Sequence, residues 1–342
     1  MDFQEVLQKL YAPNPQYEGL DLALRMLYYH IPSFSLAWYY KGEVYAHVEG
    51  KRRTDGTPVE VDTLFQAGSI SKVAFAALVM RLHQEGKLDI HADVNSYLHG
   101  YQVQAPEGVL ITIGMLLSHM AGFNVHGFPG YAPSASVTND DVIVGKGNTL
   151  SLEIDFPPNT CWRYSGGGYQ VAQKAVEDIM QQDIPSLAAQ YVFAPLMMQD
   201  SGYWQPLCEA RQAQAAHALS TKGENYHFYP ELASAGLWTT PSDLLKMALA
   251  LGRSYNGDCF LGHDVARMMM QPVWTDRCTG IFHNGSTGEF YHGGSNMGFE
   301  SLMLYHPSYD FALAIMSNSN GASALNRQIA NVIIETLHAY KE

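Results

Sequence analysis

The sequence predicts a mixed α/β fold of the α+β type, with one antiparallel sheet built from both chain ends and flanked by helices. Strand-like runs occur at residues 33–48 near one end and at 299–305 and 311–317 near the other. Between them, residues 87 to about 230 have the pattern of helices separated by loops rich in proline and glycine. This order predicts a mainly helical insertion, with a cleft between insertion and sheet where a functional site would lie.

The first predicted elements are a hairpin and a helix. In "SFSLAWYYKGEVYAHV" two strand-like runs flank Lys41 and Gly42, which predicts a hairpin turn. In "GSISKVAFAALVMRLHQEG" a helix is predicted to open at Ser69 and to end before Gly86, a favourable C-cap residue. Every side chain from Val73 to Met80 is apolar, so no face of this helix is left for water.

The later elements follow from equally local signals. Thr240 is predicted to be an N-cap, with Pro241 at the first helical position and Asp243 at the third. Two strand-like runs flank "HPSYD" and predict a second hairpin. The segment from Ala322 to Tyr340 repeats apolar residues at helical spacing.

These elements divide the chain into two predicted subdomains that together form one catalytic unit. Residues 1–86 and 235–342 are predicted to form the sheet subdomain, and residues 87–234 the mainly helical one. Residues 123–149 form the longest loop, a length that is more often functional than idle. Its aromatic side chains and His126 are candidates for the rim of a substrate site.

The composition excludes several classes of function. The formal net charge is −13, from 20 basic and 33 acidic residues, which disfavours nucleic acids and membranes as partners because both need a basic surface. The N-terminus lacks the basic and apolar parts of a signal peptide, which predicts a cytoplasmic protein, or a periplasmic one if a leader precedes it. The four cysteines form no C-x-x-C and no histidine pair forms H-E-x-x-H, so we expect free thiols, no metal and no cofactor.

Ser69 and Lys72 are the first residues that suggest chemistry. Positions i and i+3 share one face of a helix, whereas Ser71 points elsewhere. A buried lysine readily loses its proton, and a neutral Lys72 could take the proton from Ser69. The motif alone is weak, since a lysine in the first turn of a helix is commonly a solvated charge.

Two further stretches change the interpretation of this motif. "CWRYSGGGY" (161–169) places Tyr164 before a glycine-rich loop, and "YHGGSNMGF" (291–299) places His292 before two glycines and a strand. Together with the Ser-x-x-Lys of Ser69 and Lys72, and in the same order along the chain, these two stretches resemble the three motifs of the serine β-lactamase and penicillin-binding protein superfamily. The resemblance is closest to the class C branch, with its D-alanyl-D-alanine carboxypeptidases, esterases and D-aminopeptidases. It extends from about Ile31 to the final helix and implies a β-lactamase/transpeptidase-like fold.

The resemblance implies a role for each matching residue. Ser69 matches the nucleophile, Lys72 the lysine of the first motif, and Tyr164 the tyrosine whose phenol oxygen shuttles protons beside that lysine. This assignment agrees with the chemistry argued from the spacing of Ser69 and Lys72.

The third motif implies the opposite wall of the site. His292, Gly293 and Gly294 match the Lys-Thr-Gly or His-Thr-Gly triplet on the strand that borders the cleft, where the two glycines would contact substrate. The backbone N–H groups of Ser69 and Ser295 would then form an oxyanion hole.

Two departures from the family pattern bear on the substrate. Gly166 stands at the third position of Tyr-x-Asn, beside the substrate, and lacks the amide that holds an acylamino group. His292 replaces the lysine usual in class C β-lactamases, which predicts only a weak, pH-dependent positive charge for a substrate carboxylate. Both departures favour a serine hydrolase of small esters, amides or peptides.

Three alternatives to this interpretation have unequal support. A true class C-like β-lactamase or D-alanyl-D-alanine carboxypeptidase remains open, as does a penicillin-binding or sensor domain without turnover. An α/β-hydrolase is disfavoured, because no serine has the flanking glycines of Gly-x-Ser-x-Gly. The oligomeric state is not indicated by the sequence.

Overall fold

The computed structural model describes residues 3–218, 225–257 and 259–339. Its strands are β1 (Ser33–Tyr40), β2 (Glu43–Gly50), β3 (Phe65–Gln66), β4 (Trp238–Thr239), β5 (Phe282–His283), β6 (Phe290–Asn296), β7 (Phe299–His306) and β8 (Phe311–Ser317). Its α-helices are α1 (Phe3–Tyr11), α2 (Leu22–Tyr28), α3 (Ser71–Gln84), α4 (Ile113–Leu117), α5 (Asn139–Ile143), α6 (Gly166–Met180), α7 (Ile184–Ala188), α8 (Glu209–Gln214), α9 (Leu232–Ala235), α10 (Pro241–Asn256), α11 (His263–Met270) and α12 (Ala322–Ala339). Short 3₁₀ turns lie at Pro15–Tyr17, Gly68–Ile70, Val94–Ser96 and Pro307–Tyr309, and a π-helical turn at Ala189–Phe193.

Six strands form one antiparallel sheet in the order β2-β1-β8-β7-β6-β5. The two ends of the chain meet where β1 pairs with β8, with Ala37 opposite Ala314. Both predicted hairpins are present, as β1–β2 and β7–β8. The first turns through Lys41 and Gly42, at φ of 48° and 97°, a conformation that suits the twist of paired strands. The predicted α+β fold is therefore confirmed.

The central strands are buried on both faces because helices cover the sheet on each side. On β8, Phe311, Leu313 and Ile315 pack into the apolar cluster that includes residues of α1, α2 and α12. The alternate residues, Ala312 and Ala314, belong to the cluster that includes α3, α6 and α10. This alternation follows from the two-residue period of a strand.

Helix α3 runs through the second cluster, and its apolar residues from Val73 to Met80 are all buried. It starts at Ser71, whereas Ser69 lies in the preceding 3₁₀ turn Gly68–Ile70, so the predicted helix start is two residues early. The helix ends at Gln84, and Gly86 follows with a positive φ of 68°. The predicted burial of the apolar run from Val73 to Met80 is confirmed, whereas Gln84, in the last turn of the helix, is exposed.

Other local predictions can be compared directly with the structure. The Thr240 side chain accepts a hydrogen bond from the backbone N–H of Asp243, and Pro241 opens α10. The last helix spans Ala322–Ala339, and Tyr340 lies outside the described residues. No helix in the described parts of the chain combines the length and apolar character needed to cross a bilayer. The subdomain boundaries after residues 86 and 234 stay a prediction.

Candidate active site

Ser69 and Lys72 lie in contact at the start of the buried helix α3. The Nζ atom of Lys72 is 3.2 Å from Oγ of Ser69 and donates a second hydrogen bond, of 2.9 Å, to the carbonyl of Ser234. Ser71 Oγ instead donates to the Gly68 carbonyl at 2.6 Å and accepts from the N–H of Leu237 at 3.0 Å. Ser69, and not Ser71, is therefore the partner of Lys72, as the spacing predicts.

Lys72 is a buried amine, and no carboxylate oxygen of the described residues lies within 4.0 Å of it. Its side chain is held between the rings of Tyr164 and Tyr169, with Nζ 5.1 and 5.5 Å from the two centroids. Burial lowers the pKa of Lys72 from 10.5 to about 7, because a desolvated ammonium is disfavoured. Near neutral pH a large fraction of Lys72 is therefore a free base beside Ser69.

Tyr164 lies next to both Ser69 and Lys72. Burial raises the pKa of Tyr164 far above its usual value, and a hydrogen bond with Ser69 offsets this only in part. The phenol is therefore protonated and available as a proton donor. Its ring lies 4.3 Å from that of His119 and 4.9 Å from that of His126.

His119 holds Tyr164 in place and is itself fixed by the backbone. It has a positive φ of 62°, and its Nδ1 accepts a hydrogen bond of 3.1 Å from the N–H of Ser165. Burial lowers the pKa of His119 well below its usual value. The ring is therefore neutral and serves as a hydrogen-bond acceptor within its turn.

His292 lies on β6, and its ring stacks on that of Phe282 at 4.6 Å. Burial lowers the pKa of His292 to about 3, with smaller contributions from Lys72 and Arg277. Nδ1 lies 2.6 Å from the Gly293 carbonyl, and since a carbonyl only accepts, Nδ1 carries the proton. The predicted pH-dependent positive charge on His292 is thus wrong near neutral pH, because the ring is desolvated.

The other nitrogen of this ring is available to a substrate. Nε2 of His292 is buried and has no hydrogen-bond partner among the described residues. With Nδ1 protonated, Nε2 presents a lone pair and can accept a hydrogen bond. The residue therefore offers the cleft an acceptor where a lysine would offer a cation.

The turn that carries Ser69 packs directly on β6. Gly68 has a φ of +52°, and a Cβ at this residue would lie 2.5 Å from the backbone nitrogen of Ser295. A Cβ on Gly294 would lie 1.9 Å from the carbonyl oxygen of Ala67. Both positions need glycine, and the resulting contact brings the backbone of Ser295 next to that of Ser69. This proximity is compatible with the predicted oxyanion hole.

A cavity of about 740 Å³ opens on these residues and is lined by Ser69, Tyr164, His292, Gly293, Gly294 and Ser295. Gly166 does not line it. The N–H of Gly166 donates to the His126 carbonyl at 2.9 Å, and a Cβ would lie 2.8 Å from the Phe128 ring. Phe128 of the 123–149 loop thus occupies the space of a side chain at position 166. Gly166 therefore lies outside the cavity lining, contrary to the predicted contact of Gly166 with substrate.

The cavity is also lined by side chains that the sequence motifs do not include. Trp162 and Phe282 form an aromatic wall, and Arg277 lies over both rings at 4.6 and 4.8 Å. Glu300 lines the cavity beside Ser295. Glu300 lies in a predicted strand, but its place beside Ser295 follows only from the pairing of β6 with β7. Arg277 belongs to a segment without a recognisable pattern.

One group of potential metal ligands lies outside the cleft. Within the described residues, the potential ligand atoms of His83, Asp89 and His91 lie within 4.8 Å of one another, close enough to share a metal ion. His83 is eleven residues after Lys72 on α3, about 17 Å along the helix. This group therefore contributes nothing to the reaction centre, and the expectation of chemistry without a metal stays a prediction.

The chain is similar to known proteins over nearly its whole length. A family model described as Beta-lactamase matches residues 8–337. Penicillin-binding protein 4 of Amycolatopsis lactamdurans is 27% identical over 322 residues, which cover 86% of this chain and 83% of that protein. Esterase EstB of Burkholderia gladioli is 28% identical over 162 residues, 44% of this chain and 41% of the esterase.

The fold also matches a solved enzyme over its whole length. The structure of D-amino acid amidase from Ochrobactrum anthropi SV3 in complex with L-phenylalanine superposes with a TM-score of 0.78 and 17% identity, and it covers 99% of both chains. At this identity the likeness concerns the fold alone. It confirms the predicted β-lactamase/transpeptidase-like architecture.

Proposed function

The chain belongs to the Beta-lactamase family, and on that premise we propose that it is a serine hydrolase acting through an acyl-enzyme on small esters or amides. The observation that carries this proposal is the 3.2 Å contact between Ser69 Oγ and the amine of Lys72. Because the pKa of Lys72 is lowered to about 7, the base is matched to a reaction near neutral pH.

Acylation follows from these positions. As Ser69 Oγ bonds to the substrate carbonyl carbon, neutral Lys72 takes the hydroxyl proton and becomes an ammonium. The negative charge that forms on the carbonyl oxygen is stabilised by the backbone N–H groups of Ser69 and Ser295. The bond to the leaving group then breaks, and the leaving group takes a proton from Tyr164, which Lys72 restores.

Deacylation reverses the proton transfers with water as the nucleophile. Lys72 takes a proton from the attacking water as its oxygen bonds to the acyl carbon. The bond between that carbon and Ser69 Oγ breaks, and Oγ recovers the proton through Tyr164 or Lys72. The product acid leaves and the free enzyme is restored.

The walls of the cleft favour esters and amides over β-lactams. A β-lactam substrate needs an amide-binding side chain, and Phe128 occupies the space next to Gly166 where that side chain would stand. It also needs a partner for its carboxylate, and the pKa of His292, lowered to about 3 by burial, leaves that ring neutral. The names of two similar proteins, Esterase EstB and D-amino acid amidase, are compatible with this choice. The esterase or D-amino acid peptidase type is our proposal.

Covalent labelling of Ser69 tests the mechanism. Wild-type protein and the variants Ser69→Ala and Ser71→Ala are treated with a fluorophosphonate probe, and ester turnover is measured in parallel. We expect labelling of wild type and Ser71→Ala and none of Ser69→Ala, with equal melting temperatures for wild type and Ser69→Ala. Labelling that survives in Ser69→Ala would refute the assignment. Labelling without turnover would instead favour a penicillin-binding domain that acylates and does not deacylate.

A further inference from the structure

Glu300 places a carboxylate inside the cleft, on the strand next to the proposed oxyanion hole. It lies on β7 directly opposite Ser295 of β6 and lines the same cavity as Ser69. Ser295 Oγ donates a hydrogen bond of 2.8 Å to Glu300 Oε1, and the Asn320 side chain also bonds to this carboxylate. One residue, Ser295, thus connects the proposed oxyanion hole to an acidic group.

This carboxylate has no counter-charge of its own. Within the described residues, no Lys, Arg or His nitrogen is paired with Glu300 within 4.0 Å. The cations that share its cavity have other neighbours, since Arg327 lies 3.6 Å from Glu289 and Arg277 lies over aromatic rings. Burial raises the pKa of Glu300 to about 7, which reflects a carboxylate desolvated without a compensating cation.

The hydrogen-bonding groups around Glu300 indicate which kind of ligand would bind there. An ionised carboxylate accepts hydrogen bonds and attracts a cation, and it repels a substrate carboxylate. The hydroxyl of Ser295 donates its hydrogen bond to Glu300, so the lone pairs of Ser295 Oγ can accept a hydrogen bond from a ligand. A primary ammonium has three N–H donors and one positive charge, which fits both acceptors at once.

We propose that Glu300 and Ser295 form a binding site for a primary ammonium group, and that the preferred substrates are esters or amides carrying a free amine. The turnover of such substrates rests on the function proposed above, whereas the binding of the amine does not.

Binding to a protein without turnover tests the site separately from catalysis. The Ser69→Ala protein is titrated by calorimetry at pH 8 with benzylamine, benzyl alcohol and benzoate, which differ chiefly in charge. We expect benzylamine to bind about tenfold more tightly than benzyl alcohol, and benzoate to bind most weakly. Adding Glu300→Gln should remove most of the preference for the amine. Adding Glu209→Gln, an exposed glutamate of α8 outside the cavity lining, should leave it unchanged.

Two results would overturn the ammonium site. One is equal affinity of the Ser69→Ala protein for benzylamine and benzyl alcohol. The other is a preference for the amine that persists at full size with Glu300→Gln. The first comparison needs no substitution at Glu300, so a variant that fails to fold does not affect it.

Substrate pairs separate a failure of the site from a failure of the proposed hydrolase. Alanine 4-nitroanilide, in both enantiomers, is compared with propanoyl 4-nitroanilide, which lacks the amine. The wild type should favour an amine-bearing substrate in kcat/KM by about tenfold, and Glu300→Gln should reduce that ratio towards one. Hydrolysis of both substrates without this preference would refute the ammonium site and leave the hydrolase standing. Amine binding without hydrolysis of any ester or amide would refute the hydrolase and leave the ammonium site standing.

Discussion

Replacing Lys72 with methionine should change how the stability of the protein depends on pH. Methionine has a similar length and no charge, so it keeps the packing inside α3 and removes one titrating group. In the unfolded chain a lysine holds its proton up to pH 10.5, whereas burial lowers the pKa of Lys72 to about 7 in the fold. Between these values the unfolded state binds more protons, so the free energy of unfolding of the wild type rises with pH.

The size of this effect follows from the pKa shift. Each pKa unit corresponds to about 1.4 kcal/mol, so the full shift is on the order of 5 kcal/mol. Over the accessible range from pH 7 to 9, the wild type should gain about 2 kcal/mol relative to Lys72→Met. At low pH the wild type bears the whole cost of a buried ammonium. The gain expected at high pH is thus the removal of that cost.

Urea unfolding at pH 6, 7, 8 and 9 measures the effect as a difference between proteins. Groups that titrate in both proteins cancel in this difference, which isolates Lys72. The exposed Lys146→Met variant serves as a control for the loss of a lysine, and its stability should run parallel to that of the wild type. If the curves of wild type and Lys72→Met are parallel from pH 7 to 9, the lowered pKa of Lys72 and the argument for a neutral base are both wrong.

The remaining predictions concern catalysis and the contact between the turn and β6. Lys72→Ala and Tyr164→Phe should each lower kcat by orders of magnitude, and the double variant should lose little more, because the two residues act as a unit; fully multiplicative losses would contradict this. The kcat/KM of the wild type should fall about tenfold per pH unit below pH 7 as Lys72 becomes protonated; a flat acid limb would exclude Lys72 as the base. A short-chain nitrophenyl ester should exceed a chromogenic cephalosporin in kcat/KM, and the opposite order by tenfold would make the protein a β-lactamase in function. Gly294→Ala should lower the melting temperature by several degrees, since its Cβ would lie 1.9 Å from the Ala67 carbonyl oxygen, whereas Gly293→Ala, whose nearest contact is 3.6 Å away, should change it little.

The part of the site that sequence predicts is the part encoded by short spacing. Ser69 and Lys72 are three residues apart, so the local backbone brings their side chains together whatever the rest of the chain does. The two hairpins and the N-cap at Thr240 are local in the same sense. The order of strands across the two chain ends follows from the lack of another partner for the N-terminal hairpin.

The parts that sequence does not predict depend on contacts between distant segments. The charge of His292 is set by the Phe282 ring stacked on it and by its burial, neither of which has a local pattern. The exclusion of Gly166 from the cavity depends on Phe128, which lies 38 residues earlier in the chain. A motif match identifies positions, whereas protonation states come from burial, which only the tertiary structure determines.

The protonation states explain how the cleft could stabilise the transition state more than the bound substrate. Around Ser69, the phenol of Tyr164 and the ring of His292 are uncharged near neutral pH, and Lys72, with a pKa of about 7, is partly so. A neutral ester or amide therefore meets little electrostatic field at the reaction centre when it binds. When Ser69 attacks, an oxyanion and the Lys72 ammonium form together inside a desolvated site, where their attraction is strong. Interactions that arise only at that moment accelerate the reaction and do not merely tighten binding. The Glu300 carboxylate, whose pKa is raised to about 7 by burial, lies beside Ser295 and, where ionised, can select the substrate by its charge.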